Sequence, residues 1–355
     1  MALKYRVLAQ LLREGIATHE NERGYRLPTE RELSERYHMS RQTVRHALEL
    51  LAQEGLIQKR QGSGAYITGR QSPAAMEIAV ITTFVDEYIF PSLLHDMESV
   101  LQHHGYRLRV HVTLNQVSAE REILRSLLER PVGGILVEGS KTALPTPNAD
   151  LYQKLHRMHI PIVFFQGSYG SLSHIPAVTD DNYAGGCRLA QYLMEKGHRA
   201  IGGIFKSDDA QGPERYSGAV CALRDAGLPL PDHRICWYDT DQRRQIVDEK
   251  NTALLAGFLS QRLAGVTGII CYNDEIAFHL IQVLLAQGLR VPRDVAVVSF
   301  DNSYYSQISP VSITSLGHQG CRMGAEAARA LLLQLQGRPS RSAVLPWELM
   351  VRDSG

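Results

Sequence analysis

Three short motifs follow one another near the start of the chain: LPTEREL at residues 27–33, SRQTVR at residues 40–45 and QGSG at residues 61–64. In the first motif, Thr29 and Glu32 have the spacing of a capping box, in which each side chain pairs with a free backbone N–H of a new helix. Pro28, just ahead of them, disfavours an earlier start. The pattern therefore predicts a helix that begins at Thr29.

The second motif predicts another helix, capped by Ser40. Its apolar residues recur at helical spacing and form an inward stripe, made of Val44, Leu48 and Leu51. Arg41 and Arg45, four residues apart, project together from the opposite face with Gln42 nearby. Arginine suits the paired acceptors of guanine or a phosphate, and glutamine suits adenine. That face is suited to a DNA major groove, although two arginines alone also fit a solvated helix face.

The residues after this helix decide between those interpretations. Gly55 can end the helix, residues 56–60 have the pattern of a short strand, residues 62–64 form a turn, and residues 65–67 run back. Two helices followed by such a hairpin predict a winged helix-turn-helix. The glycines of the turn also resemble part of a dinucleotide-binding loop, but the third glycine and the surrounding βαβ unit are absent from the sequence pattern.

Residues 1 to about 68 resemble the GntR family of bacterial repressors, in which the recognition helix enters the major groove and the wing tip touches the minor groove. The resemblance implies a first helix near residues 4–16 and places Lys4 on a phosphate. Position by position, it implies further DNA contacts from Arg31, Ser40, Arg41, Thr43, Arg45, Gln61 and Gly62, which Gln42 joins on the same helix face.

The charge distribution agrees with this division. Residues 1–70 hold 12 Lys and Arg against 8 Asp and Glu, whereas the whole chain of 355 residues has a formal net charge of only +1. The basic excess therefore lies in the DNA-reading part. With 44% hydrophobic and 21% charged residues, the chain has the composition of a globular protein with a sizeable core.

Several function classes lack support in the sequence. The five cysteines are far apart and include no Cys-x-x-Cys pair, which argues against a disulfide framework and a zinc site. No Gly-x-Ser-x-Gly, Gly-Lys-Ser/Thr or His-Glu-x-x-His motif occurs, so we assign no catalytic residue, cofactor or metal. A secretory segment and a run of about 18 apolar residues are also missing, so we expect a cytoplasmic protein without membrane contact.

The rest of the chain alternates between short apolar runs and helical patterns. There are six such apolar runs, and each is followed by polar residues. The runs cover residues 78–83, 134–137, 162–165, 200–205, 268–271 and 295–300. This alternation predicts an α/β fold of doubly wound parallel sheets, in which ligands bind beyond the carboxyl ends of the strands. A single Asp after such a run more often caps a helix, but polar residues after six strands that point one way suit a sugar.

Residues 77 to about 354 resemble the LacI/GalR repressors and their periplasmic sugar-binding relatives. The motifs that carry the resemblance are VTDDNYAGG at 178–186, KGHR at 196–199, CYNDEIA at 271–277 and VPRDVAVVSFDN at 291–302. We therefore expect a winged domain over residues 1–69, a linker over 70–76 and a two-lobed, periplasmic-binding-protein-like sensor over 77–355. The implied lobes are about 77–177 with 317–345 and about 179–316 with 347–355, with crossings near Val178, Leu316 and Pro346.

The resemblance also implies effector-binding residues: Arg215, Asn273 and Asp301 from one lobe, and Glu138 and Gln166 from the other. We add further candidates near the expected cleft, namely Tyr88, Phe90, Asp208, Gln211 and His318. Tyr88 and Phe90 could instead belong to the core. Ser299 stands where the family commonly has glycine, which leaves the expectation for Asp301 intact.

A GntR-type reader joined to a LacI-type sensor is similar to the arabinose-responsive repressors of this architecture. Further support comes from GIFKSDD at residues 203–209 and from YIFPS at residues 88–92. The resemblance implies a homodimer that reads palindromic operator DNA and that L-arabinose releases. Two alternatives remain. The same regulator could respond to another sugar or to a purine. The chain could also be a receptor for sugar transport, which would require export.

Overall fold

The computed structural model describes residues 4–17, 26–53, 56–60, 64–67, 76–85, 89–229, 231–262, 264–318 and 322–355. The chain divides into two compact units. One comprises Met1–Glu77 with Arg130–Gly133, and the other comprises Ile78–Glu129 with Gly134–Gly355. Within the described residues, none of the helices combines the length and the apolar character needed to cross a lipid bilayer.

The first unit contains the predicted winged helix-turn-helix. Its helices are α1 (Lys4–Ala17), α2 (Glu30–Tyr37) and α3 (Arg41–Gln53), and its hairpin pairs β1 (Ile57–Arg60) with β2 (Gly64–Ile67) in antiparallel register. The predicted capping box is present: the Thr29 N–H donates to Glu32 over 2.6 Å, and the Glu32 N–H donates to Thr29 Oγ1 over 3.3 Å. Ser40 Oγ caps α3 by accepting from the Thr43 N–H at 3.2 Å.

The core of this unit uses the predicted apolar stripe. Val44 and Leu51 are completely buried and Leu48 is nearly so, and they pack with Leu8 and Leu33 of the other two helices. Because the stripe faces inward, the opposite face of α3 is turned to solvent.

The second unit begins with lobe 1, a six-stranded sheet. Its strands in spatial order are β13 (Ala343–Leu345), β7 (Ala177–Asp180), β6 (Ile162–Phe165), β5 (Gly134–Val137), β3 (Glu77–Thr82) and β4 (Arg107–Val112). From β13 to β3 the neighbours pair in parallel. The helices of the lobe are α4 (Phe90–Gln102), α5 (Val117–Glu129), α6 (Ala149–Arg157) and α13 (Met323–Leu335), with a short 3-10 turn at Gly170–Leu172.

Lobe 2 is a second six-stranded sheet. Its strands in spatial order are β14 (Glu348–Met350), β12 (Thr314–Gly317), β11 (Ala296–Phe300), β10 (Gly268–Cys271), β8 (Ile201–Lys206) and β9 (Ile235–Tyr238). All neighbours are parallel except β14, which runs antiparallel to β12. Its helices are α7 (Asn182–Glu195), α8 (Gln211–Asp225), α9 (Thr240–Val247), α10 (Ala253–Gln261), α11 (Asp274–Ala286) and α12 (Tyr304–Ile308), with a 3-10 turn at Asp232–Arg234.

The chain passes between the lobes three times. Val178 and Leu316, near which crossings were expected, are strand residues: Val178 pairs with β13 and Leu316 with β11. The first crossing therefore follows Asp180 and the second follows Gly317, while the third lies at Pro346 and Trp347 between β13 and β14. The carboxyl ends of the inner strands of both sheets lie beside these crossings, where the cavity described below is found.

Helices α7 and α8 of lobe 2 touch through two glycines. A Cβ atom on Gly186 would lie 2.0 Å from the Arg215 carbonyl oxygen, and one on Gly218 would lie 2.0 Å from the Tyr183 carbonyl oxygen. A side chain at either position would push the helices apart. Since α8 carries Arg215, this close approach determines where that arginine lies.

Candidate functional site

The exposed face of α3 carries the residues expected to read DNA. Arg41, Gln42 and Arg45 are all exposed on the side away from the buried stripe. Lys4 at the start of α1 and Arg31 in the first turn of α2 are exposed too. The wing-tip residues Gln61 and Gly62 lie outside the described residues.

Two of the expected DNA-contacting arginines form ion pairs with residues of the same unit. Arg45 Nη2 lies 3.2 Å from Glu30 Oε2, and Arg31 Nε lies 3.7 Å from Glu35 Oε1. These surface pairs are weak and exchange readily for a phosphate or a base edge. Ser40 and Thr43 already have a local role, because their hydroxyls hydrogen-bond to each other at 2.8 Å where α3 begins.

A cavity of about 440 Å³ lies between the two lobes of the second unit. This volume falls within the range of about 300–1,000 Å³ found for small-molecule sites. Seven of the residues expected from the sequence line it, namely Glu138, Gln166, Gln211, Arg215, Asn273, Asp301 and His318. Both lobes therefore contribute side chains to one cavity.

Arg215 of α8 is a firmly held cation of the cavity. It is 2% exposed, its Nε donates to Asn182 Oδ1 over 2.9 Å, and its Nη1 donates to the Tyr272 carbonyl over 2.5 Å. Its Nη2 lies 3.6 Å from Asp301 Oδ1. The orientation of the guanidinium is thus determined before any ligand arrives.

Aromatic rings surround the same guanidinium. Its central carbon lies 4.2 Å from the centre of the Phe300 ring, 4.8 Å from that of Tyr272 and 5.6 Å from that of Trp347. Such cation–π contacts are strongest where water is excluded. They surround the buried charge of Arg215 with apolar surface, and a hydrogen bond from this guanidinium to a ligand hydroxyl is stronger in such a low-dielectric environment.

The loop that carries Asp301 is tied down from behind by Asp274. Asp301 has φ of +95° and Asn302 has φ of +46°, a conformation that needs support from its surroundings. Asp274 accepts from the Ser303 N–H at 2.6 Å and from the Ser303 hydroxyl at 2.9 Å. The Ser299 hydroxyl also donates to Asp274. The residue that departs from the family pattern therefore helps to hold the pocket loop.

Asp274 has an unusual titration. Burial raises its pKa to about 7, with a further contribution from the negative charge of Asp301 and an opposing one from its hydrogen-bond donors. A buried carboxyl with a pKa raised this far carries less negative charge beside Asp301 at neutral pH than an ordinary aspartate would.

Lobe 1 contributes Glu138 and Gln166. One carboxylate oxygen of Glu138 accepts from the Thr82 hydroxyl at 2.7 Å and from the Thr83 N–H at 2.9 Å. Burial raises the pKa of this carboxyl against the lowering effect of those donors. Gln166 has φ of +62°, and its side-chain oxygen lies 3.4 Å from the Gln211 amide nitrogen of lobe 2.

His318 joins all three crossings between the lobes. Its Nε2 lies 2.9 Å from Asp180 Oδ1 at the first crossing, and its Nδ1 lies 3.0 Å from the Pro346 carbonyl at the third. Its ring stacks on Trp347 with centroids 4.5 Å apart. Burial lowers the pKa of His318, but the contact with Asp180, the Pro346 carbonyl and the negative charge of Asp301 together outweigh this effect and leave the pKa above its ordinary value.

Two of the expected effector residues do not line the cavity. Asp208 is turned away because its carboxylate accepts from the N–H of Thr240 at 3.1 Å and from the hydroxyl of Thr240 at 2.7 Å. Phe90 is 5% exposed in the first turn of α4 and packs into the core. Tyr88 lies outside the described residues.

The cavity also has lining residues that the sequence analysis did not select. The main ones are Asp180, Lys206, Asp209, Tyr272 and Trp347. Lys206 and Asp209 lie close to Asp208 at the end of β8, one of the strand ends with polar residues. The sequence therefore indicated this segment, but it did not show which of its side chains face the cavity. Trp347 follows a strand of three residues, which is too short to give a periodic pattern.

Comparison with known proteins agrees with this architecture. Residues 4–67 match bacterial regulatory proteins of the gntR family, and residues 190–355 match the periplasmic binding protein-like domain. An arabinose metabolism transcriptional repressor from Halalkalibacterium halodurans is 35% identical over 355 residues, which cover 97% of this chain and 92% of the relative. This chain belongs to the arabinose metabolism transcriptional repressors. A repressor of the same name from Geobacillus stearothermophilus is 33% identical, with 94% of this chain and 92% of the relative covered.

The family and the fold together make the chain a sugar-responsive, DNA-binding transcriptional repressor. Among solved structures, the transcriptional regulator CelR-cellobiose complex is 25% identical to this chain and has a TM-score of 0.69. The match covers 89% of this chain and 90% of that chain. The transcription regulator GntR from Chromobacterium violaceum, at 22% identity and a TM-score of 0.67, shares the fold over 78% of this chain and 98% of its own.

Proposed function

We propose that this repressor binds L-arabinose between the two lobes and that the bound sugar releases operator DNA. The observation that carries the proposal is the cavity, where a fixed guanidinium, carboxylates from both lobes and a flat aromatic face meet. The repressors from Halalkalibacterium halodurans and Geobacillus stearothermophilus are both named for arabinose metabolism.

The chemistry of the cavity suits a pentose. Glu138 and Asp301 offer carboxylate oxygens to sugar hydroxyls, while Arg215 offers N–H donors. Trp347 and Tyr272 provide apolar surface for the C–H groups of the ring. Arg215 and Glu138 are already held by protein hydrogen bonds, so the sugar meets a preorganised site.

We further propose that the chain acts as a binding protein and performs no catalysis. The polar side chains of the cavity come from both lobes, so a sugar that contacts them on both sides favours the closed form by its extra affinity for that form. In a homodimer, a shift of the lobes would change the spacing of the paired winged domains and so their fit to two half-sites. Since its target is chromosomal DNA, we place this action in the cytoplasm.

The test is a titration of the protein–operator complex, followed by fluorescence anisotropy. The duplex is selected by the full-length protein from a random pool, so that the operator sequence need not be known. L-arabinose should release the duplex at millimolar concentration or below, whereas its mirror image D-arabinose should not. D-xylose, D-ribose, D-galactose and hypoxanthine serve as alternative effectors.

Complete retention of the duplex at millimolar L-arabinose would exclude this sugar as the releasing effector. If only one of the other compounds releases the duplex, that compound is the effector of this repressor. Sedimentation velocity of the free protein at micromolar concentration tests the dimer, and a purely monomeric species would contradict it.

A further inference from the structure

The lobes also contact each other through a group of polar residues, which we call the latch. It consists of Asn115, Lys141, Thr142 and Ala143 of lobe 1 and of Asp208, Asp209, Ala210 and Thr240 of lobe 2. The latch is independent of the three crossings, because its bonds join residues of different lobes that are distant in sequence. It can therefore form and break as the lobes close and open.

Asn115 is at the centre of the latch. Its Nδ2 donates to Asp209 Oδ1 over 3.1 Å and to Thr240 Oγ1 over 2.7 Å, and its Oδ1 accepts from the Lys141 N–H at 2.7 Å. The residue is completely buried and has φ of +55°. Asparagine tolerates this left-handed conformation better than most residues, and here its side chain uses both its oxygen and its nitrogen.

Other bonds of the latch cross between the lobes without Asn115. The Ala210 N–H donates to Thr142 Oγ1 over 3.0 Å, and the Ala143 N–H donates to the Asp208 carbonyl over 3.3 Å. These two backbone amides lose their acceptors when the lobes separate. Their exchange with solvent therefore reports on closure.

The latch is connected to the cavity through one carboxylate. Asp209 lines the cavity together with Lys206, whose Nζ donates to Asp209 Oδ2 over 2.5 Å. The other oxygen of the same carboxylate accepts from Asn115. A residue of lobe 1 thus helps to orient two ligand-facing groups of lobe 2, and it can do so only while the lobes are closed.

We infer that Asn115 is a positioning residue for the effector site, which stabilises the closed lobes and holds Asp209 and Lys206 in their ligand-facing positions. The inference rests on the proposed sugar site. Weakening the latch lowers the population of the closed form, and the apparent ligand affinity falls by the same factor.

The test uses the full-length protein and two glycine variants. Asn115→Gly removes the side chain and keeps the left-handed backbone accessible. Leu114→Gly is the matched control, because Leu114 is the adjacent residue, has φ of +52° and is 54% exposed. Isothermal titration calorimetry with L-arabinose should show an affinity about tenfold lower for Asn115→Gly, about the effect of leaving a buried hydrogen-bonding group without its partner. The control should stay within about twofold of the native chain.

Two further measurements separate positioning from damage to the fold. Operator affinity without sugar should not fall in either variant, because loss of the closed form does not disfavour the DNA-bound form, and the sugar concentration for half release should rise in Asn115→Gly. Hydrogen exchange at the Ala143 and Ala210 amides should be faster in Asn115→Gly than in the native chain and the control. A native-like sugar affinity, or unchanged exchange at both amides, would overturn the inference.

The exchange measurement also keeps this inference distinct from the proposed effector. If the native chain binds no L-arabinose, the effector assignment fails. Faster exchange at the two amides in Asn115→Gly alone would then still support the latch, and equal exchange in all three proteins would refute it.

Discussion

Nε2 of His318 lies 2.9 Å from a carboxylate oxygen of Asp180, so that one ion pair joins the first and second crossings between the lobes. The other ring nitrogen of His318 contacts the third crossing at Pro346. One imidazole therefore links every chain segment that passes from lobe to lobe, at the edge of the cavity.

Replacing His318 by glutamine should make the sensor less stable in a pH-dependent way. Because the folded pKa of His318 lies above its ordinary value of 6.5, the contribution of the pair is complete below that pH and is lost as the pH rises through the folded pKa. The difference in thermal unfolding midpoint between native chain and variant should be larger at pH of about 5.5 than at about 9. The same difference in unfolding midpoint at both pH values would contradict this prediction.

Arg215→Lys should weaken sugar binding about tenfold to a hundredfold, since hydrogen bonds to charged groups contribute about 1.5–3 kcal/mol each. Lysine cannot reproduce the fork that reaches Asn182 and the Tyr272 carbonyl together. Calorimetry with the sugar is the measurement. Arg188→Lys on the exposed side of α7, where Arg188 pairs with Glu195, is the control and should bind like the native chain.

Gly186→Ala should destabilise the sensor by about 1–3 kcal/mol, the usual cost of overpacking. The added methyl group would lie 2.0 Å from the Arg215 carbonyl and would displace α8. Gly257→Ala in α10 meets nothing within 4 Å and should be neutral or stabilise by about 0.5–1 kcal/mol. Urea unfolding of both variants decides the matter. Equal stability of the two would show that α7 and α8 can move apart freely.

Asp274→Asn should remove one component of the pH dependence of stability. The folded chain keeps the proton of Asp274 up to a pH of about 7, whereas the unfolded chain releases it near the ordinary pKa of 3.8. Stability from this group is therefore complete at acid pH and falls as the pH rises through that interval. The unfolding midpoint of the native chain, relative to the variant, should decline between pH of about 4 and about 7. Asp241→Asn, at an exposed position of α9, should show no such trend.

Arg41→Ala should lower operator affinity about tenfold if Arg41 reads a base, since a bidentate pair contributes about 1–3 kcal/mol. The loss should be much smaller on unrelated DNA. Arg36→Ala in α2 removes the same charge from a residue that packs over Tyr37, and it is the matched control. If Arg41→Ala and Arg36→Ala lose the same affinity for the operator and for unrelated DNA, Arg41 contributes only its charge.

The inner strands β3, β5, β6, β8, β10 and β11 could be predicted from the sequence because they are buried on both faces and consist mainly of apolar residues and glycine. Val163 in β6 and Ile269 in β10, for example, are fully buried within such strands. The inner strands β7 and β12 were not predicted, since polar residues interrupt them. The edge strand β4 was not predicted because Arg107–Val112 contains no unbroken apolar run; its polar and apolar residues alternate, which is the pattern of a half-buried edge strand. Strands β13 and β14, of three residues each, are too short for any periodicity.

The residues of the site also fall into those that the sequence predicted and those that it did not. Glu138 and Asp301 lie at the ends of predicted strands, where parallel sheets bind ligands, but the family resemblance was needed to select them from the other polar residues there. Asp208 was chosen over Asp209 because the sequence does not show which of two adjacent acids faces inward where the chain turns into α8. Asn115 was missed because it follows the unpredicted strand β4 and contacts residues distant in the sequence.

The interleaving of the two lobes has a consequence for synthesis on the ribosome. Apart from β14, lobe 2 is one continuous stretch between the first two crossings, so it can fold as soon as it has left the exit tunnel. Lobe 1 starts earlier but must wait for α13, which packs against α4 and three strands of its sheet. The part of the sensor that is translated first is therefore completed last, and a nascent repressor has no ligand-responsive cleft until almost the whole sensor has emerged.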